Sequence, residues 1–172
     1  LRITPAIPPV IGKKEFQKRK ILMIPEIQKE WRTLNSIPQN WSRLSLPETP
    51  LFYTGKKVPS GFRAELAFGY DRNGLILLAE VKDPCVISTS GSSLWSKDSI
   101  QIKISQLGGL QDEVEGDIEL SFSPGKDLIH SWSPQLERPL TPEEAEVRGG
   151  ITQDGYRITA HLNWKLLNRI DR

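Results

Sequence analysis

The sequence predicts an all-β antiparallel sandwich, of jelly-roll or immunoglobulin-like type, with short helical turns. Three observations lead there. Apolar residues recur with a period of two, as in Phe62, Ala64, Leu66, Phe68 and Tyr70 set against Arg63, Glu65 and Ala67. Turn signals fall at roughly 8–12-residue spacing, which divides the chain into about eight to ten short strands. Thirteen Pro and thirteen Gly in 172 residues suit a loop-rich β protein and leave little room for long helices.

Residues 1 to 20 combine Pro5, Pro8 and Pro9 with Lys13, Lys14, Lys18, Arg19 and Lys20, and read as an extended segment with a solvated basic turn. Phe16 is the one interleaved aromatic, too few for the stacking platform of a nucleic-acid site. Ile21-Leu22-Met23-Ile24 reads as a short buried strand. Pro38, Pro47, Pro50 and Pro59 forbid long helices between residues 35 and 60. That stretch reads as irregular wrapping with a short strand near Ser42 to Leu46. The whole chain is expected to be one domain, with residues 1–60 a proline-rich wrapping segment and residues 61–172 the sandwich core.

From Phe62 a half-buried strand runs to Tyr70. Asp71-Arg72-Asn73-Gly74 follows as a hairpin turn, in which Asn-Gly is expected to supply positive φ. Leu75, Leu77, Ala79 and Val81 line one face of the returning strand and Ile76 and Leu78 the other, so this strand is predicted to be central and covered on both sides. Ile100 to Ile104 alternates strictly. Ile118, Leu120 and Phe122 alternate with Glu119, Ser121 and Ser123, and Leu128 to Trp132 is expected to pair back through the Ser123-Pro124-Gly125-Lys126 turn. Ala145 to Thr152 and Tyr156 to Trp164 form the last hairpin, across Gln153-Asp154-Gly155. Two segments look helical: Trp164 to Ile170, and Thr141 to Ala145, where Thr141 can cap, Pro142 takes the first position and Glu144 lies three residues after the cap.

Lys and Arg number 23 against 21 Asp and Glu, a formal charge of +2, which makes no general case for nucleic acid or a membrane surface as partner. No apolar run reaches the ~18 residues of a membrane-spanning helix. The single cysteine, Cys85, excludes an internal disulfide. Cys-x-x-Cys, His-Glu-x-x-His, Gly-x-Ser-x-Gly and glycine-rich phosphate loops are absent, and two histidines cannot build a His-rich metal site. Glu65, Glu80 and Glu119 could pair across strands as a glycosidase requires, but alternation scatters them among strands. The acidic stretch Gln111 to Glu115 carries oxygen ligands of the kind calcium takes, although a solvated loop is the simpler reading. No cofactor is expected.

The chemistry of binding is more visible. Trp95 stands in a Ser/Gly-rich loop between two alternating runs, where an indole either folds back onto the sandwich edge or waits for a flat apolar ligand. A pyranose presents flat C–H faces that stack on indole. A second wall is needed, and Trp132, in the polar strand end His130-Ser131-Trp132-Ser133-Pro134, is the favoured candidate. Trp164 continues an apolar face and reads as core, while Trp31 and Trp41 are expected to pack beneath the proline-rich wrapping. Sugar hydroxyls need paired donors and acceptors. The polar sheet face offers Gln101, Lys103, Glu119, Ser121, Arg157, Thr159 and His161, with Gln101, Glu119 and Arg157 as the chosen ligands and a solvated sheet face as the alternative. Asp98 is expected to accept N–H bonds from the loop, and Asp83 with Pro84 to end the preceding strand.

The run Val81-Lys82-Asp83-Pro84, a loop, then Trp95-Ser96-Lys97-Asp98-Ser99-Ile100-Gln101-Ile102 resembles the family 9 carbohydrate-binding modules and their DOMON-like relatives. There a strand ends in Val-x-Asp, a variable loop follows, and Trp-x-x-Asp-Ser-Val-Glu leads into the next strand. Asp154-Gly155-Tyr156 through Trp164-Lys165-Leu166-Leu167 resembles the family's closing signature, a Gly-Tyr strand and Ile-Pro-Trp before a helical turn, with Asn163 at the Pro position. The likeness runs from about residue 60 to 170. It implies that Trp95 is one of two tryptophans clasping a terminal sugar. It also sets Gln101 at a family glutamate, and Glu119 or Ser121 near a family arginine. The expectation is a non-catalytic module that binds a glycan, for instance at a chain end, within a secreted, periplasmic or surface protein and beside other domains of a larger chain. The alternatives are a binding-silent structural or protein-interaction sandwich and a b-type haem electron-transfer domain. For haem the Met–His pairs on offer are Met23 with His130 or His161; Met23 reads as core filler and His161 as a solvated position.

Overall fold

A computed structural model describes residues 24–45, 61–88, 93–94, 97–104, 118–124, 129–131 and 140–168. Among them are eight strands: β1 (Arg43–Ser45), β2 (Arg63–Tyr70), β3 (Gly74–Lys82), β4 (Ile100–Ile104), β5 (Ile118–Phe122), β6 (Ile129–Ser131), β7 (Ala145–Thr152) and β8 (Gly155–Asn163). They pair antiparallel in two sheets, a five-stranded one ordered β1-β2-β3-β8-β7 and a three-stranded one ordered β4-β5-β6. The predicted antiparallel β architecture is the observed one.

Alternation decides which way each strand faces. Leu66 and Phe68 of β2, Leu77 and Ala79 of β3, Ile158 and Leu162 of β8, Ile102 of β4 and Leu120 and Phe122 of β5 belong to one buried cluster between the sheets. Burying an aliphatic or aromatic side chain of this size contributes about 1.5–3 kcal/mol. β3 lies centrally, between β2 and β8, and its second face is covered as well: Ile76 and Leu78 join Ala67 in a separate cluster under Trp31, Ile37 and Trp41. The described residues therefore form three layers: the small sheet, the large sheet, and a strap built from residues before β2. Trp31 opens a 3-10 turn, Trp31–Thr33. Trp31 and Trp41 are buried, but as the strap's own side chains packed on Ala67, Ile76 and Leu78 rather than beneath it, and β1 occupies the predicted short strand.

Two local expectations need correction. The β2–β3 turn is not made by positive φ at Gly74; among described glycines only Gly61 and Gly155 have positive φ. Instead the Asp71 carboxylate accepts from the backbone N–H groups of Asn73 (2.7 Å) and Gly74 (2.9 Å). Gly74 is demanded by crowding, because a Cβ there would lie 2.3 Å from the Leu162 carbonyl oxygen. Thr141 to Ala145 is a single turn rather than a helix. The Glu144 carboxylate accepts from Thr141 N–H at 3.0 Å, as a capping box does, but Ala145 already starts β7 opposite Leu162. Strand pairing there replaces the bonds that would have continued a helix. The other helical expectation is met by α1 (Trp164–Leu167), capped by the Asn163 side chain, which accepts from Lys165 N–H at 2.8 Å.

Candidate functional site

The small sheet turns Ile100, Ile102, Ile118, Leu120 and Phe122 inward, so the intervening positions face away from the core. Gln101 pairs with Ser121, which pairs with His130, making one row across three strands; Lys103 pairs with Glu119 in the next row. Gln101 and Glu119 are thus diagonal neighbours on one outer face, both half-buried. Ser121 is fully shielded, and its Oγ has no hydrogen-bond partner. A shielded hydroxyl without a partner costs about 1–3 kcal/mol, so this row is kept at some expense to stability.

β4 receives the loop that the sequence singled out. Leu94 is buried at its far end, and its carbonyl accepts from Ser99 Oγ at 2.8 Å and from Lys97 N–H at 3.4 Å. Asp98 closes the loop from both its groups. Its carboxylate accepts from Ile87 N–H, and its own N–H donates to the Ile87 carbonyl at 3.1 Å. Asp83 caps the end of β3 by accepting from Cys85 N–H at 2.8 Å. Both aspartates have the structural roles expected of them. Burial pushes the Asp98 carboxyl up; the Ile87 bond opposes this, and the adjacent Asp83 carboxylate adds to it. Burial likewise pushes up the Tyr156 hydroxyl, with Asp98 and Asp83 contributing. Trp95 and Trp132 lie outside the described residues, as do Met23 and the acidic stretch Gln111 to Glu115.

Arg157 is not brought to Gln101 and Glu119. It pairs with Glu80 of β3 and Gly150 of β7 on the face of the large sheet that carries Ile76 and Leu78, the side away from the small sheet. Thr159 and His161 share that face. His161 departs from the solvated position expected of it: it is 9% exposed, stacks on Trp31 with centroids 5.3 Å apart, and contacts the Asp71 carboxylate at 3.1 Å. The sequence signal for this was weak, because the covering indole lies 130 positions away. Trp164 is half-buried against the main core, and its indole N–H donates to the Asp71 carbonyl at 3.3 Å.

Among the described residues no group of three His, Cys, Asp or Glu side chains is placed to hold a metal ion. No helix among the described residues is long and apolar enough to cross a membrane.

No family model matches the sequence, and no curated protein matches it. Among solved structures, a family 9 carbohydrate-binding module from Caldicellulosiruptor kristjanssonii in complex with cellotriose aligns with a TM-score of 0.49 and 20% identity, over 62% of this chain and 51% of that one. A family 9 module from the same organism in complex with glucose aligns with a TM-score of 0.48 and 20% identity, over 62% and 52%. This chain spans about half the length of those structures.

Proposed function

We propose that the protein is a non-catalytic glycan-binding module and that the outer face of β4–β6 is its ligand surface. The observation that carries this reading is the polar row on an otherwise apolar three-stranded sheet. Gln101 and His130 flank the shielded Ser121, with Lys103 and Glu119 in the adjacent row. Amide, carboxylate and imidazole groups held on rigid strands suit the alternating donors and acceptors of sugar hydroxyls. The loop entering β4 is tied at Leu94, Ile87 and Asp98, so its described ends are anchored beside this sheet. In this reading Gln101 and Glu119 hold hydroxyls, and Trp95 and Trp132 supply the apolar walls. A secreted, periplasmic or surface setting follows from the ligand class.

Soluble oligosaccharides are expected to change tryptophan fluorescence. Trp95→Ala should abolish the response and leave the thermal unfolding transition in place, and Gln101→Ala should weaken binding without loss of fold. A blank across a broad glycan array, or unfolding of Trp95→Ala, would overturn the assignment.

A further inference from the structure

The opposite outer face of the molecule carries a second feature, a cleft of about 290 Å³ where β7 and β8 meet the strap. Its described wall has three charged residues, and all are arginines: Arg32, Arg148 and Arg157. They differ in how far they are already engaged. Arg32 is engaged at all three nitrogens: its guanidinium donates to Glu30 at 2.6 Å and twice to Glu146. Arg148 reaches the same Glu146 carboxylate by its Nε at 3.4 Å, and its guanidinium lies 5.9 Å from the Trp31 ring centroid.

Arg157 is different. It forms a loose ion pair with Glu80, Nε to Oε1 3.7 Å, beyond hydrogen-bond reach. The Glu80 oxygen concerned accepts instead from Ile37 N–H at 3.0 Å, which ties it to the strap. The Arg157 Nε is shielded from solvent and has no hydrogen-bond partner. A shielded N–H without a partner is costly, and the rest of the guanidinium, on a side chain 40% exposed, can still meet a ligand. The rest of the wall is neutral and of two kinds. Asn35, Thr152 and Thr159 offer amide and hydroxyl groups, and Leu34 offers apolar surface. Gly150, opposite Arg157, leaves the floor open, since a Cβ there would meet nothing within 4 Å.

The geometry points to a binding site for a small hydroxylated carboxylate, of the uronic-acid class. Arg157 takes the carboxylate, Asn35 and the threonines take hydroxyls, and Leu34 faces the C–H surface of the ring. A planar carboxylate matches the arginine fork in bidentate fashion. The volume lies at the small end of ligand pockets, about 300–1,000 Å³, which favours one ring over a chain segment. The site lies on the side of the large sheet away from Gln101 and Glu119, so it stands or falls separately from the glycan surface proposed above.

Amide-resonance titrations with sodium glucuronate, glucose, acetate and inorganic phosphate test it. Glucuronate is expected to shift the amides of Gly149 to Thr152 and of Arg157, and glucose to leave them unmoved. Acetate and phosphate should bind more weakly by about tenfold or more, the loss of one or two hydrogen bonds. Arg157→Gln should weaken glucuronate binding about ten- to a hundredfold, as removal of a charge-assisted bond does. Gly150→Val fills the cleft without removing a charge and places a strand-favouring residue in β7, so it should block glucuronate while the melting transition is retained. Gln101→Ala should leave glucuronate binding unchanged. An oligouronide that binds more tightly than the monomer would place the ligand on a glycan chain; a weaker one would make it a free sugar. The proposal is overturned if glucose, acetate or phosphate binds as well as glucuronate, or if Gly150→Val and Arg157→Gln bind it like the parent protein.

Discussion

Two aspartates sit at turns of this sandwich and respond to pH in opposite directions. Burial pushes the Asp71 carboxyl up, but bonds from His161 and from the Asn73 and Gly74 N–H groups, with the attraction of His161, outweigh it and hold the carboxyl below its ordinary range. The unfolded chain, with a carboxyl near ~3.9, therefore takes up this proton first, so stability present at neutral pH is lost as pH falls below about 4. Asp71→Asn should flatten that acid limb in chemical denaturation followed as a function of pH. An unchanged limb would show that the His161 contact does not bias the carboxyl. Asp98 has the reverse sign. Its folded carboxyl lies above the unfolded value, so its contribution is present below about pH 4 and is lost as pH rises through the folded value. Asp98→Asn keeps an oxygen for the Ile87 N–H and removes the repulsion from Asp83. The variant should be more stable than the parent at neutral pH, with the gain gone in acid. If it is less stable at pH near 7, the loop needs the Asp98 charge itself.

Strand register fixes the sharpest contrast within one element. In β4, Ile102 is 1% exposed within the core while Gln101 faces outward. Ile102→Asp buries an unpaired carboxylate and should cost several kcal/mol, a large part of a typical domain stability of about 5–15 kcal/mol. Gln101→Ala should stay within about 0.5 kcal/mol. Urea denaturation of the two variants reads both, and comparable losses would mean the register is wrong. This contrast was legible in the sequence because a period of two is a direct record of one wet face and one dry face, and β2, β4, β5 and β8 keep it. The doubly apolar run of β3 was equally legible, since a strand covered on both sides has nowhere to put polar residues. The turn at Thr141 to Ala145 was misread for a definite reason: a capping box marks where a helix can begin, and carries no information on whether the next residue finds a strand partner, as Ala145 does in Leu162.

At the scale of the molecule, alternation tells which side of its own strand a residue takes but not which sheet the strand joins. Gln101, Glu119 and Arg157 all read as outward-facing, and all are, yet they occupy the two opposite outer surfaces of the sandwich. The same gap hid His161, whose cover comes from a strap distant in sequence. That strap is held by shape. Gly69 of β2 has no side chain because the Trp41 ring fills the space: a Cβ there would meet Trp41 Cη2, Cζ2 and Cζ3 at 2.3, 2.6 and 2.9 Å. Gly69→Ala should therefore cost about 1–3 kcal/mol by overpacking, although Ala is the better strand residue. Trp41→Leu should be destabilising on its own through lost packing. Combined, the two should cost less than their sum by about 0.5–3 kcal/mol, because the methyl enters room the ring has left. Denaturation midpoints of the four proteins give this coupling. Additive losses would mean that the indole is not seated on Gly69 and that the strap does not form the third layer; a favourable coupling ties residues before β2 to the folding of the large sheet.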